Sequence, residues 1–467
     1  MSKYHLLFTL VFWVFNFSCF SQDAWLTTST KNFKKIDIMS AKSSEKDIII
    51  DQEKTFQKID GFGGSFNELG YIALQNASSE DQERVFEALF GSEGLNFEYC
   101  RMPIGANDFS KEWYSFSETS GDFEMAHFDI SRDKLYQVPF IKRALDIQPD
   151  LRIWASPWSP PIWLKRNKHY GGRATNMYWG ELYGNNMEYI YANNRFIMEP
   201  DYLQAYALYF SKFLTSYKQL GIKIESVHPQ NEVTANQLFP SCVWSAEDLA
   251  TFTGDYLIPQ LKKDHPAVKV WLGTLNADSV EYVSEFLKNC PDIAGIGVQW
   301  DGIDMLDTLT RVYPEYSYMQ TESECNNGLN EWFTAEHTIE LLYKSLRGGA
   351  SSYMYWNMIL DDLGLSTWMW RQNSLISVDR FNGEVTFNPE FYVLKHFSHF
   401  INAGFYRVDL RNVPEGIEVL AFTNQKEGSI LVLYNPSDKT EKPSIRVDTK
   451  TALTPNLPPH SIMTIKL

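Results

Sequence analysis

The stretch IESVHPQNE, residues 224–232, joins a short run of apolar and β-branched residues to a polar ending, Gln230-Asn231-Glu232. A run of this length and apolarity is typical of a strand that is buried on both faces of a parallel sheet. A helical pattern with an aromatic stripe, residues 202–217, precedes it. Strands that alternate with helices in this way indicate parallel pairing through helical crossovers.

The same alternation occurs along most of the chain. The predicted strands are residues 59–66, 99–104, 152–157, 224–229, 268–272, 295–300, 316–321 and 352–357. Eight such units in a chain of 467 residues predict an α/β fold of the closed (β/α)8 type, a TIM barrel. We expect the barrel to occupy residues 58–394.

Strand-forming segments lie on both sides of the predicted barrel, in residues 22–57 and 395–467. The second contains two clear runs, residues 417–422 and 429–434. Neither segment alone has enough strands to bury a core. We therefore expect the two chain ends to pack together into one β-sandwich beside the barrel.

The first 21 residues resemble a secretory signal. Lys3 precedes the apolar run 6–15, and the small residues Cys19 and Ser21 stand just before Gln22. The run is too short to remain as a membrane-spanning helix. We predict cleavage after Ser21 and an exported protein, secreted or periplasmic. The alternative is lipidation at Cys19, which would leave the protein lipid-anchored.

Composition excludes several classes of function. A formal net charge of −16 without a basic run argues against nucleic acid and other polyanions as partners. The sequence has no HExxH, Walker-type or GxGxxG motif after a strand, so neither a metal nor a nucleotide cofactor is implied. The remaining cysteines lack zinc-type spacing and imply no disulfide, although one is possible: Cys100, Cys242, Cys290 and Cys325.

Two glutamates stand where a barrel places its reacting groups, at the carboxyl ends of strands. Glu232 follows the fourth run and Glu322 follows the seventh, 90 residues later. That spacing fits three βα units of about 30 residues each. Two carboxylates that face one cleft are the requirement for glycoside hydrolysis, in which one is an acid and the other a nucleophile or base. Arg101, in the second run, is placed to hold a carboxylate in its ionised form.

Several motifs resemble those of glycoside hydrolase family 30, with the glucosylceramidase-like branch closest. They are, in order, residues 61–64, 101–104, 108–110, 155–165, 231–232, 321–322, 355–357 and 458–462. They extend over nearly all of the chain after the signal. The resemblance implies a retaining mechanism, with Glu232 as the acid/base and Glu322 as the nucleophile. Glu324 is the competing assignment for the nucleophile.

The resemblance also implies the residues that bind the sugar. Asp108 and Asn231 match positions that hydrogen-bond sugar hydroxyls, and Trp158 and Trp356 match aromatic walls of the sugar subsite. After strand six the branch has His-Trp-Tyr, whereas this chain has Gln299-Trp300-Asp301. Trp300 is thus retained as a substrate-binding residue, while the specificity of the branch is put in question.

Several hypotheses about the function follow from these observations. A β-glucosidase or endo-β-1,6-glucanase is favoured over a glucosylceramidase, because several charged and aromatic residues could surround positions beyond the first sugar: Asp301, Asp361, Asp362, Trp368 and Trp370. β-Xylosidase and β-fucosidase activities are further alternatives within the enzymatic hypothesis. Two hypotheses are non-enzymatic. The intact carboxylate pair argues against a glycan-binding protein without turnover, and an interaction protein based on the sandwich, with the barrel as scaffold, would leave the charged residues at the strand ends unexplained.

Overall fold

The computed structural model describes residues 22–172 and 193–467, so the predicted signal and Cys19 lie outside the described residues. Four strands come first in the chain: β1 (Ala24–Thr28), β2 (Lys31–Ile36), β3 (Met39–Lys42) and β4 (Ile49–Lys58). Strand β4 leads directly into the barrel.

Eight parallel strand positions follow, and two short strands share the fifth because Trp271 interrupts it. The barrel strands are β5 (Gly61–Ser65), β6 (Tyr99–Pro103), β7 (Arg152–Ser156), β8 (Ser226–Val227), β9 (Lys269–Val270) with β10 (Leu272–Leu275), β11 (Gly295–Gln299), β12 (Ser317–Glu322) and β13 (Ser352–Asn357). Each position overlaps one of the eight runs that the sequence predicts.

The strands close on themselves. One sheet has the order β13-β5-β6-β7-β8-β9 and a second has β10-β11-β12. Backbone hydrogen bonds from Ser351 N to Tyr318 O (2.7 Å) and from Ser323 N to Met354 O (2.9 Å) join β12 to β13. The predicted TIM barrel is therefore confirmed.

Helices surround the barrel and turn their apolar faces to it. The described α-helices are α1 (Glu68–Leu74), α2 (Ser79–Phe90), α3 (Gln137–Ile147), α4 (Pro200–Gln219), α5 (Ala246–Thr251), α6 (Ile258–Asp264), α7 (Val280–Asn289), α8 (Leu306–Val312), α9 (Trp332–Arg347) and α10 (Pro389–Ser398). The longest, α4, begins at Pro200, where a missing N–H removes no helical hydrogen bond. It buries its aromatic stripe, which includes Tyr206, Tyr209 and Phe213.

Both chain ends contribute to one sheet beside the barrel. The remaining strands are β14 (Ile359–Asp361), β15 (Ile376–Val378), β16 (Val385–Phe387), β17 (Tyr406–Arg411), β18 (Glu418–Asn424), β19 (Gly428–Asn435), β20 (Ile445–Arg446), β21 (Thr451–Thr454) and β22 (Ser461–Lys466). The large sheet has the order β2-β1-β22-β19-β18-β17-β4, and a small sheet has β20-β21-β3. The first and last strands, β1 and β22, pair directly, as the expected side sandwich requires.

Helix α10 connects the barrel to this sandwich. Its buried His396 hydrogen-bonds Thr464 (2.9 Å) through Nδ1 and Thr27 (2.8 Å) through Nε2, one from each chain end. The boundary expected between residues 394 and 395 falls inside this helix. The helix therefore packs with both parts of the molecule.

Two further features of the described residues concern the cysteines and the helices. Cys100, Cys242, Cys290 and Cys325 are separate buried thiols, and no disulfide joins them. No helix within residues 22–172 and 193–467 is long and apolar enough to cross a membrane.

Candidate active site

A cavity of about 210 Å³ opens at the carboxyl ends of the barrel strands. Its lining is mainly polar and aromatic and includes both predicted catalytic glutamates. The residues that line it are Asp108, Trp158, Asn231, Glu232, Gln237, Phe239, Asn276, Trp300, Asp301, Glu322, Trp370 and Gln372. Six of the eight residues that the sequence singles out thus meet at one cavity.

Glu322 ends strand β12 and is buried, with both carboxylate oxygens in contact with donors. Arg101 Nη1 donates to Oε2 at 2.5 Å, and Trp300 Nε1 donates to Oε1 at 3.1 Å. Two donors on opposite oxygens fix the plane of the carboxylate, and one of them carries a permanent positive charge. The neighbouring Glu324 instead contacts His337 at 3.1 Å, and it does not line the described cavity.

Arg101 lies directly beneath the cavity and is fully buried. Its guanidinium carbon lies 4.4 Å from the ring centre of Trp158, 4.9 Å from Trp154 and 5.4 Å from Trp356. Three aromatic faces and one carboxylate compensate its buried charge. The sequence prediction that Arg101 pairs with a carboxylate is met by this geometry, although Arg101 is not part of the cavity surface.

Glu232 follows strand β8 and has a backbone φ of 49°, in the left-handed region that non-glycine residues rarely occupy. Its N–H donates to Thr274 Oγ1 at 3.0 Å, which anchors this conformation to the fifth strand position. Burial raises the pKa of Glu232 to about 8, and the negative charges of Glu322 and Asp108 add to that rise. The positive charge of Arg101 and a hydrogen bond from Gln237 partly offset it.

Asn231 is held in one orientation by three donors. Its Oδ1 accepts from Arg101 Nη2 at 2.6 Å, from Thr274 Oγ1 at 3.0 Å and from Gln299 Nε2 at 3.4 Å. Because the oxygen is occupied in this way, the amide NH₂ group is the part of the side chain that faces the cavity as a donor. A sugar hydroxyl is a suitable acceptor for it.

Asp108 and the two predicted tryptophans occupy different depths. Burial raises the pKa of Asp108 to about 8, with a further contribution from the charge of Glu322. Trp158 forms part of the cavity surface, whereas Trp356 stacks behind it with ring centres 5.1 Å apart. The structure therefore places Trp356 as support for the wall and beside Arg101, rather than on the described surface.

The three residues after strand β11 differ in role. Gln299 is buried and contacts Asn231, Trp300 donates to Glu322, and Asp301 is exposed at the cavity rim. Like Glu232, Trp300 has a left-handed backbone, with φ of 51°. The departure from the pattern of the glucosylceramidase-like branch therefore lies at the cavity itself.

Three further residues expected around the mouth lie elsewhere. Asp361 accepts the backbone N–H groups of Leu363 and Gly364, both at 3.1 Å. The others also have local partners: Asp362 pairs with Arg380 at 3.5 Å, and Trp368 packs against Trp113 with ring centres 4.7 Å apart. The expectation of an acidic Asp361-Asp362 rim was wrong, because Asp361 stabilises the turn that follows β14 and Asp362 pairs with Arg380.

Sequence reasoning did not identify four residues of the lining. Gln237 and Phe239 come from the loop after β8, Asn276 from the loop after β10, and Gln372 from the loop after β14. Gln372 Oε1 accepts from Asn357 Nδ2 at 2.8 Å, which leaves its NH₂ group as a donor. The sequence signal for these four residues is their position in a loop that follows a strand, and many other residues share that position.

A buried pair of glutamates at the ends of strands four and seven of a closed barrel defines a glycoside hydrolase of the two-carboxylate class. Comparison with known sequences gives the family. The model of the glycosyl hydrolase family 30 TIM-barrel domain matches residues 59–401, and that of the family 30 β-sandwich domain matches residues 404–465. The chain belongs to glycosyl hydrolase family 30.

Individual relatives cover most of the chain. Putative glucosylceramidase 1 of Caenorhabditis elegans is 28% identical over 83% of this chain and 75% of its own. An endo-1,6-β-D-glucanase of Neurospora crassa is 23% identical over 81% of this chain and 78% of its own. The crystal structure of SrfJ from Salmonella typhimurium superposes with a TM-score of 0.83 at 21% identity, covering 96% of this chain and 99% of that one.

Proposed function

We propose that this family 30 enzyme hydrolyses β-glucosidic bonds with retention of configuration, with Glu322 as the nucleophile and Glu232 as the acid/base. The observation that carries the assignment is the contrast between the two carboxyl groups. Glu322 is held by Arg101 at 2.5 Å and by Trp300, an environment suited to an anion. Burial raises the pKa of Glu232 to about 8, which suits a proton donor at neutral pH.

The mechanism follows from these environments. Glu322 attacks the anomeric carbon while Glu232 protonates the departing oxygen, and a covalent glycosyl-enzyme forms. Once Glu232 has given up its proton, it can remove one from the water that hydrolyses this intermediate. The Asn231 NH₂ group can donate to the sugar 2-hydroxyl, where hydrogen bonds strengthen at the transition state.

The stereochemical outcome tests the proposal. Proton NMR of a reaction with an aryl β-glucoside should show the β-anomer of glucose before mutarotation sets in. The variant Glu232→Gln should still release an activated phenol, because that leaving group needs no proton from Glu232. An α-anomer as the first product would refute a retaining double displacement.

For the acceptor side we propose a polar group, such as a second glucose in a soluble β-glucoside or a β-1,6-linked glucan. Asp301, Gln237, Asn276 and Gln372 bring a charged group and amides to the cavity. Placing an exposed carboxylate such as Asp301 beside lipid would remove it from water at a high free-energy cost. Trp370, which is 47% exposed, can serve as a flat apolar surface for a sugar ring.

Glucosylceramide is the second candidate substrate. Met369 is 58% exposed next to Trp370, and Leu329 is 53% exposed on another loop, so apolar surface exists near this side of the barrel. The name of the Caenorhabditis elegans relative points to the same lipid, whereas that of the Neurospora crassa relative points to a β-1,6-glucan. The names of the relatives therefore do not decide between a β-1,6-glucan and glucosylceramide, and the preference rests on the residues at the acceptor side of the cavity.

The deciding assay compares kcat/KM for gentiobiose, a β-1,6-glucan and micellar glucosylceramide under identical conditions. We expect the wild-type enzyme to prefer the soluble substrates. The variant Asp301→Leu should shift the ratio towards the ceramide, and Asp362→Leu, which changes an aspartate away from the cavity, should leave it unaltered. Faster wild-type turnover of glucosylceramide would reverse the preference.

We also propose that the protein is exported. Lys3, the apolar run 6–15 and the small residues before Gln22 support this. Mass spectrometry of the N-terminus of the mature protein should show Gln22 as the first residue. A diacylglycerol-modified Cys19 would instead support the lipid-anchored alternative.

A further inference from the structure

Lys165 is a buried charged residue that has no role in the catalytic mechanism proposed above. It closes the stretch Trp163-Leu164-Lys165 after strand β7 and has no exposed surface. Its Nζ donates to three oxygens: Ser241 O at 2.6 Å, Tyr170 O at 2.8 Å and Ser159 Oγ at 3.2 Å. Within residues 22–172 and 193–467, its hydrogen-bond partners are these three oxygens, and none of them belongs to a carboxylate.

The three contacts require a protonated amine. The two backbone carbonyls can only accept, and the Ser159 hydroxyl directs its own proton to Pro160 O at 2.9 Å. All three oxygens therefore need an N–H donor, and only the ammonium form of lysine has three. Burial opposes that form and lowers the pKa of Lys165 to about 7. Three hydrogen bonds to fixed oxygens thus compensate the cost of burying this charge.

Hydrogen bonds connect Lys165 through Ser241 to Gln237, which lines the cavity together with Glu232. Ser241 ends the loop after β8, and its Oγ accepts from Gln237 N at 3.1 Å. The backbone oxygen of Gln237 accepts from Gly172 N at 2.8 Å, close to Tyr170. The side chain of Gln237 lines the cavity together with Glu232, and its amide group lowers the pKa of that carboxyl.

We propose that Lys165 is a positioning residue for catalysis, which holds the loop of residues 237–241 so that Gln237 reaches the carboxyl group of Glu232. The proposal rests on the assignment of Glu232 as the acid/base. Lys165 does not touch the substrate; it acts through Ser241 and Gln237. Its effect is on the proton affinity of Glu232 and on the placement of Phe239 in the cavity wall.

Other titratable groups lie near Lys165 and near Glu232. Around Lys165 they are the buried Cys242 thiol and the His169 ring. Around Glu232 they are Glu322, Asp108 and Arg101. Substitution at Lys165 or Gln237 leaves Glu322, Asp108 and Arg101 in place. Removal of the Lys165 charge raises the pKa of His169 and of Cys242, whereas Gln237→Leu keeps that charge, so the two single variants separate this effect from the loss of the Gln237 contact.

The test is the pH profile of kcat/KM on a dinitrophenyl β-glucoside and on gentiobiose, for the full-length enzyme and the variants Lys165→Met, Gln237→Leu and their double variant. Loss of the Gln237 bond removes a hydrogen bond to a charged carboxylate. The basic limb for gentiobiose should therefore move upward by about one pH unit in each single variant. The double variant should show the same shift as either single variant, because both interrupt one connection.

The matched control is Lys168→Met, an exposed lysine on the same loop that contacts Trp163 O at 3.3 Å. This variant should leave the basic limb of the pH profile for gentiobiose unchanged. If Lys165→Met does not fold, Lys165→Gln, which keeps two N–H donors, should give a smaller shift in the same direction.

Two results overturn the assignment. A lower thermal midpoint with an unmoved basic limb would mean that Lys165 serves stability alone. Additive shifts in the double variant would mean that its charge acts on Glu232 directly and not through Gln237. A wild-type enzyme without turnover of the dinitrophenyl β-glucoside would remove the proposed function and this assignment together, whereas an active wild type with an unmoved limb removes the assignment only.

Discussion

Replacing Glu232 with glutamine should slow hydrolysis in proportion to how much the leaving group needs a proton. Glutamine keeps the shape of the side chain but cannot act as an acid, and general acid catalysis contributes about 10²- to 10⁴-fold. We therefore expect kcat/KM for gentiobiose to fall by about that factor. A dinitrophenolate leaves without a proton, so the corresponding loss for its glucoside should be about tenfold or less.

The structure explains why the wild-type enzyme is poised for this step. With the pKa of Glu232 at about 8, about nine tenths of the enzyme carries the proton at pH 7. At the ordinary glutamate value near 4.5, the fraction would be only about 0.3%. The environment of Glu232 thus raises the fraction of protonated Glu232 at pH 7 by roughly two orders of magnitude.

The assay measures both glucosides across pH 5–9 for wild type and for Glu232→Gln. Glu225→Gln is the matched control, since Glu225 directly precedes strand β8 and pairs with Arg152 and Lys269, both at 3.7 Å. We expect the wild-type rate on gentiobiose to decline above about pH 8, because the acid form is lost, and we expect that limb to vanish in Glu232→Gln. Equal losses on the two substrates would reject Glu232 as the acid.

Three further predictions concern the same network. Arg101→Leu should leave Glu322 as an uncompensated buried charge and lower kcat/KM by at least about 10²-fold; Arg101→Lys should recover only part of it, and full activity in either variant would contradict the pairing. Trp300→Phe keeps the ring but removes the N–H on Oε1, so kcat should fall about tenfold, and an unchanged kcat would show that this bond is dispensable. Because the folded-state pKa of Glu232 is raised, folding binds a proton between the unfolded and folded pKa values, and its stabilising contribution is lost as pH rises to about 8. The thermal midpoint of Glu232→Gln should therefore fall less from pH 5 to pH 8 than that of wild type; parallel curves would contradict a raised pKa.

The barrel could be predicted because its strands are short, apolar and separated by helical patterns. All eight positions overlap the predicted runs, and the carboxyl ends of β8 and β12 place Glu232 and Glu322 at one cavity. Strand ends were less certain. The fifth position is interrupted at Trp271 and extends to Leu275, which a pattern of apolar residues does not reveal.

The cavity wall was harder to predict because loops form it. Gln237 and Gln372 reach the cavity through hydrogen bonds between distant segments, and such contacts leave no periodic pattern in the sequence. Asp361 was misplaced for a related reason: an aspartate after a strand can face a cleft or accept the N–H groups of its own turn, and here it does the latter. Trp356 was placed in the right neighbourhood but one layer too close to the cavity.

In the proposed mechanism Glu322 forms the covalent intermediate, and trapping this intermediate identifies the nucleophile. A 2-deoxy-2-fluoro-β-glucoside with a dinitrophenyl leaving group should react once per active site, because the fluorine slows hydrolysis of the glycosyl-enzyme more than its formation. Peptide mass spectrometry is predicted to find the added fluoroglucosyl group on Glu322. A label on Glu324 or Glu232, or turnover without any covalent adduct, would exclude Glu322 as the nucleophile.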